Sequence, residues 1–373
     1  MAMIFSGARR LGLFSCGHLT LRGAGGRQRA LGAEVDDDGR RGPRLLLGAL
    51  AVLVAACWLA PAAVLVLPAT AAAHWKGVAL DVDYAGRPTL NHAVHRDLKR
   101  VQRAHLDMLH LYVQPRDLRS RRHVAYLTHY LRAVRRDGIR VLMTVWQPST
   151  AAMIAHPRRF AEASAHVAKL WEPYLAAIEV GDEPNFTVAH GVGYVGVLRA
   201  TYPAIKRVAP QLPVIAGALA YASGNDLKAM YAAGLHGYFD ALSVHPYTDN
   251  APPEWMGGGD CAHSFACGLP WLHQIMVENG DGDKQLWVTE LGWSTHNCPH
   301  CGGVSERERA LYMRQVGAMT RSWPWIGAVI FWHLRCGHRQ RTAAAEALEV
   351  GLALISKTWR PTRGFWALAS TTY

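Results

Sequence analysis

Between Leu45 and Ala73 the chain has no charged residue, and residues 1–44 contain no lysine. The first absence removes what normally keeps a segment in water. Leu45 to Leu67 alone supplies 23 largely apolar positions, and roughly 17 to 25 are enough to span a bilayer. Arg40, Arg41 and Arg44 stand just before the run, the flank expected on the cytoplasmic side. Residues 1–44, with eight arginines and an acidic group at Glu34 and Asp36 to Asp38, read as a disordered basic tail. Ala71, Ala72 and Ala73 offer the small residues of a signal-peptidase site, but the apolar run exceeds the roughly 7 to 15 residues of a signal core. The expectation is a membrane anchor across residues 45–67 with the remainder outside the cytoplasm, or a secreted protein if the segment is cut.

Cysteine is also scarce: of seven, Cys16 lies in the tail and Cys57 in the apolar run, leaving Cys261, Cys267, Cys298, Cys301 and Cys336. Export permits disulfides, and Cys261 and Cys267, six residues apart in one glycine-rich loop, are expected to pair. The loop His296-Asn297-Cys298-Pro299-His300-Cys301, with Cys336 and His338 further on, has metal-like spacing, although disulfides suit an exported domain better. No glycine-rich phosphate loop follows the first apolar run, which argues against a dinucleotide-binding sheet. Beyond residue 73 there are 32 basic and 24 acidic residues. This dispersed surplus reads as a solvated surface and gives no sign of nucleic-acid recognition.

What is present after residue 74 is an alternation of short β-rich runs, polar or aromatic loops and amphipathic stretches. The expected strands are Val78 to Val82, Leu106 to Tyr112, Ile139 to Val145, Ala177 to Val180, Val214 to Leu219, Ala241 to Val244, Leu286 to Thr289 and Ala328 to Trp332. Helices are expected at His95 to Ala104, Val124 to Arg136, Arg159 to Leu175, Tyr194 to Val208, Leu227 to Leu235 and Glu306 to Ser322, with Gly138, Gly237 and Gly327 at helix-to-strand handovers. Eight such units over residues 74–373 predict an α/β fold, the (β/α)8 TIM barrel.

In that fold chemistry sits at the carboxyl ends of strands, where Trp146, Glu183, His245, Tyr247, Glu290, Trp293 and Trp332 fall. Glycosidic cleavage needs one carboxylic acid to protonate the departing oxygen and a second carboxylate to attack carbon or activate water. Glu183, in Gly181-Asp182-Glu183-Pro184-Asn185 after the fourth strand, and Glu290, in Trp287-Val288-Thr289-Glu290-Leu291-Gly292-Trp293 after the seventh, fit that pair. Aromatic faces suit the C–H surfaces of sugars.

These motifs, with Asp240 to Tyr247 on the sixth strand and Trp332 on the eighth, resemble glycoside hydrolase clan A over residues 75–368. The resemblance implies a retaining hydrolase of a β-linked poly- or oligosaccharide that needs no metal or cofactor. In it Glu183 is the acid/base, Glu290 the nucleophile, and Trp146, Asp182, His245, Tyr247, Trp293 and Trp332 contact substrate. Two residues depart from the pattern. Asp182 replaces an asparagine that hydrogen-bonds the sugar 2-hydroxyl, and its charge would keep Glu183 protonated. His110 stands near the place of a second-strand arginine. Glu179, four residues before Glu183, reads as a paired structural charge. Two other readings are a catalytically silent carbohydrate-binding barrel and a membrane-tethered metal-binding protein. The topology expectation is tested with a reporter fused after Tyr373, which should be active only in a form that requires export; cytoplasmic reporter activity would contradict it.

Overall fold

In the computed structural model, residues 74–80, 92–297, 302–336 and 342–373 are described. The tail, the apolar run 45–67 and the loop cysteines Cys298 and Cys301 lie outside them. Among the described residues no helix is long and apolar enough to cross a membrane.

Eight strands pair in chain order, each parallel to the next, and the first closes on the last. They are β1 (Trp75–Ala79), β2 (Met108–Val113), β3 (Arg140–Val145), β4 (Ala177–Val180), β5 (Val214–Ala220), β6 (Ala241–His245), β7 (Gln285–Val288) and β8 (Ile326–Phe331). The helices are α1 (His92–Arg103), α2 (Arg121–Arg136), α3 (Thr150–Ala155), α4 (Pro157–Trp171), α5 (Pro184–Thr187), α6 (Val192–Val208), α7 (Gly224–Ala232), α8 (Phe265–Glu278), α9 (Glu306–Thr320), α10 (Ala343–Leu352) and α11 (Arg363–Ser370). This is the TIM barrel that the alternation predicts.

Strand side chains alternate with a period of two, and the barrel uses that period to sort three layers. Odd-one-out positions such as Leu109, Leu111, Val141, Met143, Ile178, Val180, Leu242 and Val244 face outward into one continuous apolar core against the helices. The inward set begins with an apolar floor of Met108, Leu142, Ala177, Ile215, Ala241, Trp287 and Ala328. Two residues further along the same strands come His110, Thr144, Glu179 and Ser243, all fully buried and all polar. One more step brings Tyr112, Trp146 and His245 to the rim. The same arithmetic that makes these strands two-sided therefore carries chemistry upward on their inner face.

Differences from the expected boundaries have local causes. The first strand begins at Trp75 rather than Val78, because Lys76 does not break it: its ammonium donates to the carbonyls of Leu368 and Thr371 at 3.1 and 3.2 Å. Gly138 and Gly237 adopt the left-handed backbone expected of handover glycines, with φ of 75° and 87°. Gly327 is instead inside β8, where a β-carbon would meet the Trp287 indole nitrogen at 2.2 Å. Five helices, α3, α5, α8, α10 and α11, fall outside the helical stretches named from the sequence. In α8 a nearly unbroken apolar sequence with Pro270 blurs the helical period. Its start is nevertheless fixed by Ser264 Oγ, which accepts from the Cys267 N–H at 3.0 Å. Cys261 and Cys267 are bonded to each other at the entrance to that helix, as expected.

Where β4 meets β5 the barrel has no room for a side chain. The Tyr194 hydroxyl donates to the Val180 carbonyl and accepts from the Gly217 N–H at 2.6 Å. A β-carbon on Gly217 would stand 2.2 Å from the Val180 oxygen. Gly217→Ala should therefore lower unfolding free energy by about 1 to 3 kcal/mol or more through overpacking, read by chemical denaturation. An unchanged midpoint would contradict this packing.

Candidate active site

The turn after β4 is built by backbone conformations that side chains seldom adopt. Gly181 has φ of 80°, and Glu183 itself is left-handed at φ 41° and ψ 52°, which costs a non-glycine residue on the order of 1 to 2 kcal/mol. Asn185 holds the turn against that cost. Its amide accepts from the Ala220 N–H at 2.9 Å and donates to the Ala220 carbonyl at 3.1 Å and to Asp226 at 2.7 Å. The one-turn α5 is thereby fastened to the end of β5 and to α7, and Glu183 projects over the lumen.

Opposite it, Glu290 follows β7 and accepts from two phenols. Tyr112 donates to Oε1 at 2.5 Å and Tyr247 to Oε2 at 3.0 Å. Burial, with Glu290 next in weight, pushes both phenols well above their usual pKa, so they remain neutral donors. His245 lies between the two glutamates, its Nδ1 2.9 Å from Glu183 Oε1 and 3.7 Å from Glu290 Oε2. The two carboxyl oxygens can be no further apart than those distances laid end to end. All three side chains are buried, with residue exposures of 6, 7 and 1 % for Glu183, Glu290 and His245. Burial opposes a charge on the imidazole, but Glu290, Glu183 and Asp182 outweigh it and raise its pKa to about 10.

Asp182 is the third carboxyl. Its ligand atom, one from His245 and one from Glu290 lie within 4.8 Å of one another, a spacing a cation could occupy. Burial first, then Glu183 and Glu290, push Asp182 up to about 7, with His245 pulling the other way. The expectation that the Asp182 charge would keep a proton on Glu183 is thus replaced by one in which Asp182 itself is driven toward the neutral form. Its Oδ1 is buried without a hydrogen-bond partner.

Beneath the rim, the polar layer supports the backbone that carries Glu290. Thr144 donates its hydroxyl proton to Glu179, so the His110 Nε2 that lies 2.6 Å from Thr144 Oγ1 acts as a donor. His110 Nδ1 faces the carbonyl of Thr289 at 3.0 Å, and a carbonyl can only accept. The His110 ring thereby lies 3.3 Å from the buried Glu179 carboxylate. Burial works to raise the Glu179 pKa, but His110, with help from His245 and Ser243, outweighs it and holds the carboxyl below its usual range. The paired structural charge expected at Glu179 is present, and it anchors the backbone immediately before Glu290.

The remaining expected contacts divide. Trp332 lines the site edge-on to Tyr112 at 5.8 Å between ring centroids, with its indole N–H donating to Glu349 at 3.0 Å. Trp146 stands half-buried at the rim after β3. Trp293 is not on the open face: 1 % exposed, it packs against Tyr312 and donates to Thr248 and Ala251, fixing the loop after β6. Tyr112 and Asn185 were missed. The period of two from Met108 through His110 could have found Tyr112, whereas nothing local marks Asn185, because its partners lie on β5 and α7.

No family model matches the sequence, and no curated protein matches it. Solved structures share the fold. A glucosidase from Croceicoccus marinus is 14% identical with a TM-score of 0.58, covering 80% of this chain and 66% of that one. A GH5_18 protein from Streptomyces cattleya in complex with Manb1-4GlcNAc is 17% identical with a TM-score of 0.58, covering 79% of each. A β-glucuronidase from Faecalibacterium prausnitzii is 16% identical with a TM-score of 0.55, covering 80% of this chain and 48% of that one. The chain thus spans two thirds or less of the glucosidase and about half of the glucuronidase. At these identities the likeness establishes the barrel.

The raised Asp182 pKa makes a stability prediction. In the unfolded chain this group titrates near 3.8 and in the folded site near 7. Between those values the folded state binds more protons, so stability falls as pH rises. The full shift corresponds to on the order of 4 kcal/mol. Asp182→Asn should therefore be more stable than wild type at pH 8, with the difference vanishing toward pH 4. Equal stability at both pH values would contradict the placement of this carboxyl.

Proposed function

We propose that the chain is a retaining glycoside hydrolase of β-linked poly- or oligosaccharides. The single observation that carries this reading is the pair Glu183 and Glu290 at the ends of β4 and β7, bridged by one imidazole. Their nearest oxygens are at most about 6.6 Å apart, and any bend at His245 Nδ1 brings them closer. Retaining pairs sit roughly 5 to 5.5 Å apart, a separation that this bound accommodates. The resemblance of the two motifs to clan A supports the same assignment. Among the barrels it resembles are a β-glucuronidase and a protein holding Manb1-4GlcNAc, which supports a saccharide substrate.

In the first step a Glu290 oxygen bonds to the anomeric carbon as the glycosidic C–O bond breaks, and the proton held between Glu183 and His245 passes to the leaving oxygen. Tyr112 and Tyr247 fix the attacking carboxylate and leave it ionised. In the second step Glu183 takes a proton from water, whose oxygen bonds to the anomeric carbon as the bond to Glu290 breaks. The retained configuration follows from two displacements at one carbon. The same proposal puts the barrel outside the cytoplasm, on the strength of the apolar run and its arginine flank.

Replacing Glu290 with Gly should abolish turnover, and added azide should restore cleavage of an activated β-glycoside as the glycosyl azide of inverted configuration. Changing Glu183 to Ala should spare the first step for a substrate with a good leaving group and slow the second. Product configuration from wild type, followed by NMR, decides the mechanism. Release of the inverted sugar, or near-normal activity without Glu290, would overturn the role assignment; sugar binding with no turnover by wild type would favour a silent carbohydrate-binding barrel.

A further inference from the structure

Clan A glycosidic chemistry calls for two carboxyls, and this site has three. Asp182, Glu183 and Glu290 surround a single imidazole, and no lysine or arginine among the described residues forms an ion pair with any of them. With His245 cationic and one proton on Glu183 for the leaving group, the assembly still carries one negative charge whenever Asp182 is ionised, and Asp182 itself is only partly exposed. Asp182 Oδ1 is left without a partner. An uncompensated buried carboxylate is expensive, so a ligand that restores balance is favoured over one that only fits.

Resting on the glycosidase reading, we infer that the substrate carries a free, protonated amino group on the carbon next to the anomeric centre, and that Asp182 is the residue that selects it. The placement follows from where the nucleophile must act. Glu290 reaches the anomeric carbon at about 3 to 3.5 Å in a reactive complex, and the Asp182 carboxyl lies within 4.8 Å of the Glu290 and His245 ligand atoms. The anomeric carbon has two ring neighbours. One is the ring oxygen, which has no hydrogen to give a carboxylate. The other, C2, carries the substituent that can face Asp182. A hydroxyl there satisfies one acceptor and leaves the charge; an ammonium offers three donors and cancels it. An acetamido group offers one donor and no charge.

The pH behaviour of the free site is consistent with this. Burial and the two neighbouring glutamates push Asp182 up to about 7, so the group that prefers a cation becomes ionised as pH rises toward neutrality. Preference for the amine over the hydroxyl should then grow between pH 5 and pH 7.

The test uses six chromogenic probes, the 4-nitrophenyl β-glycosides of 2-amino-2-deoxy, 2-hydroxy and 2-acetamido-2-deoxy sugars in gluco and galacto configuration. The wild-type protein should cleave a free-amine probe with kcat/KM about 100-fold or more above its 2-hydroxy counterpart. Asp182→Asn should cut that ratio about 100-fold, and the wild-type ratio should rise from pH 5 to 7. A wild-type preference for the hydroxyl or acetamido probes, or a ratio unmoved by Asp182→Asn, would overturn the amino-sugar inference and leave the hydrolase reading intact. Cleavage of none of the six would remove both. Competition by free glucosamine against glucose on the wild-type protein gives the same answer without a variant: stronger inhibition by glucose would also overturn it.

Discussion

Four carboxyl groups, Glu179, Asp182, Glu183 and Glu290, share one barrel lumen, and among the described residues two imidazoles oppose them. Charges buried this close cannot all ionise without partners, and the arrangement of the interior follows from that. Glu179 is paired with His110 through Thr144. Glu183 lies 2.9 Å from the His245 imidazole. Glu290 accepts from two phenols. Asp182 alone is left to move toward its neutral form. The site is less a set of independent residues than one coupled charge assembly.

The scaffold delivers that assembly through two simple devices. Strand alternation stacks an apolar floor, a polar middle and a reactive rim on the same inner face, so that β2 supplies Met108, His110 and Tyr112 in sequence. The left-handed turn at Glu183 then aims the acid across the lumen, with Asn185 fastening the turn to neighbouring elements. Each device is local in the chain, but each depends on a partner strand for its chemistry: His110 reaches Thr289 of β7's end, and Tyr112 reaches Glu290. An arginine at the His110 position would bring a fixed charge to the nucleophile. Here a neutral phenol makes that contact and an imidazole sits one layer below, against Glu179.

Much of this was legible in the sequence. All eight strands were expected in order, and the bounds of β4, a run of only four residues, were met without error. Glu183, His245, Tyr247 and Glu290 were singled out and the structure gathers them around one point. What the sequence could not convey is what depends on contacts between distant segments. The start of β1 at Trp75 was not legible because the carbonyl partners of Lys76 lie almost three hundred residues away. Trp293 looked like a rim aromatic because its burial depends on Thr248, Ala251 and Tyr312. Asp182 looked like a modifier of Glu183, and only the placement of Glu290 and His245 around it shows that it bears the strain itself. The apolar run 45–67 and the Cys298–Cys301 loop lie outside the described residues, and their expected roles stand as proposed.

The central claim is that Glu290 becomes covalently attached to sugar while Glu183 manages the proton. Glu183→Ala protein mixed with an activated aryl β-glycoside and quenched in acid should gain the mass of one glycosyl residue, and peptide mapping should locate it on the segment containing Glu290. Attachment to any other residue, or turnover with retained activity and no adduct under conditions that slow the second step, would contradict the account.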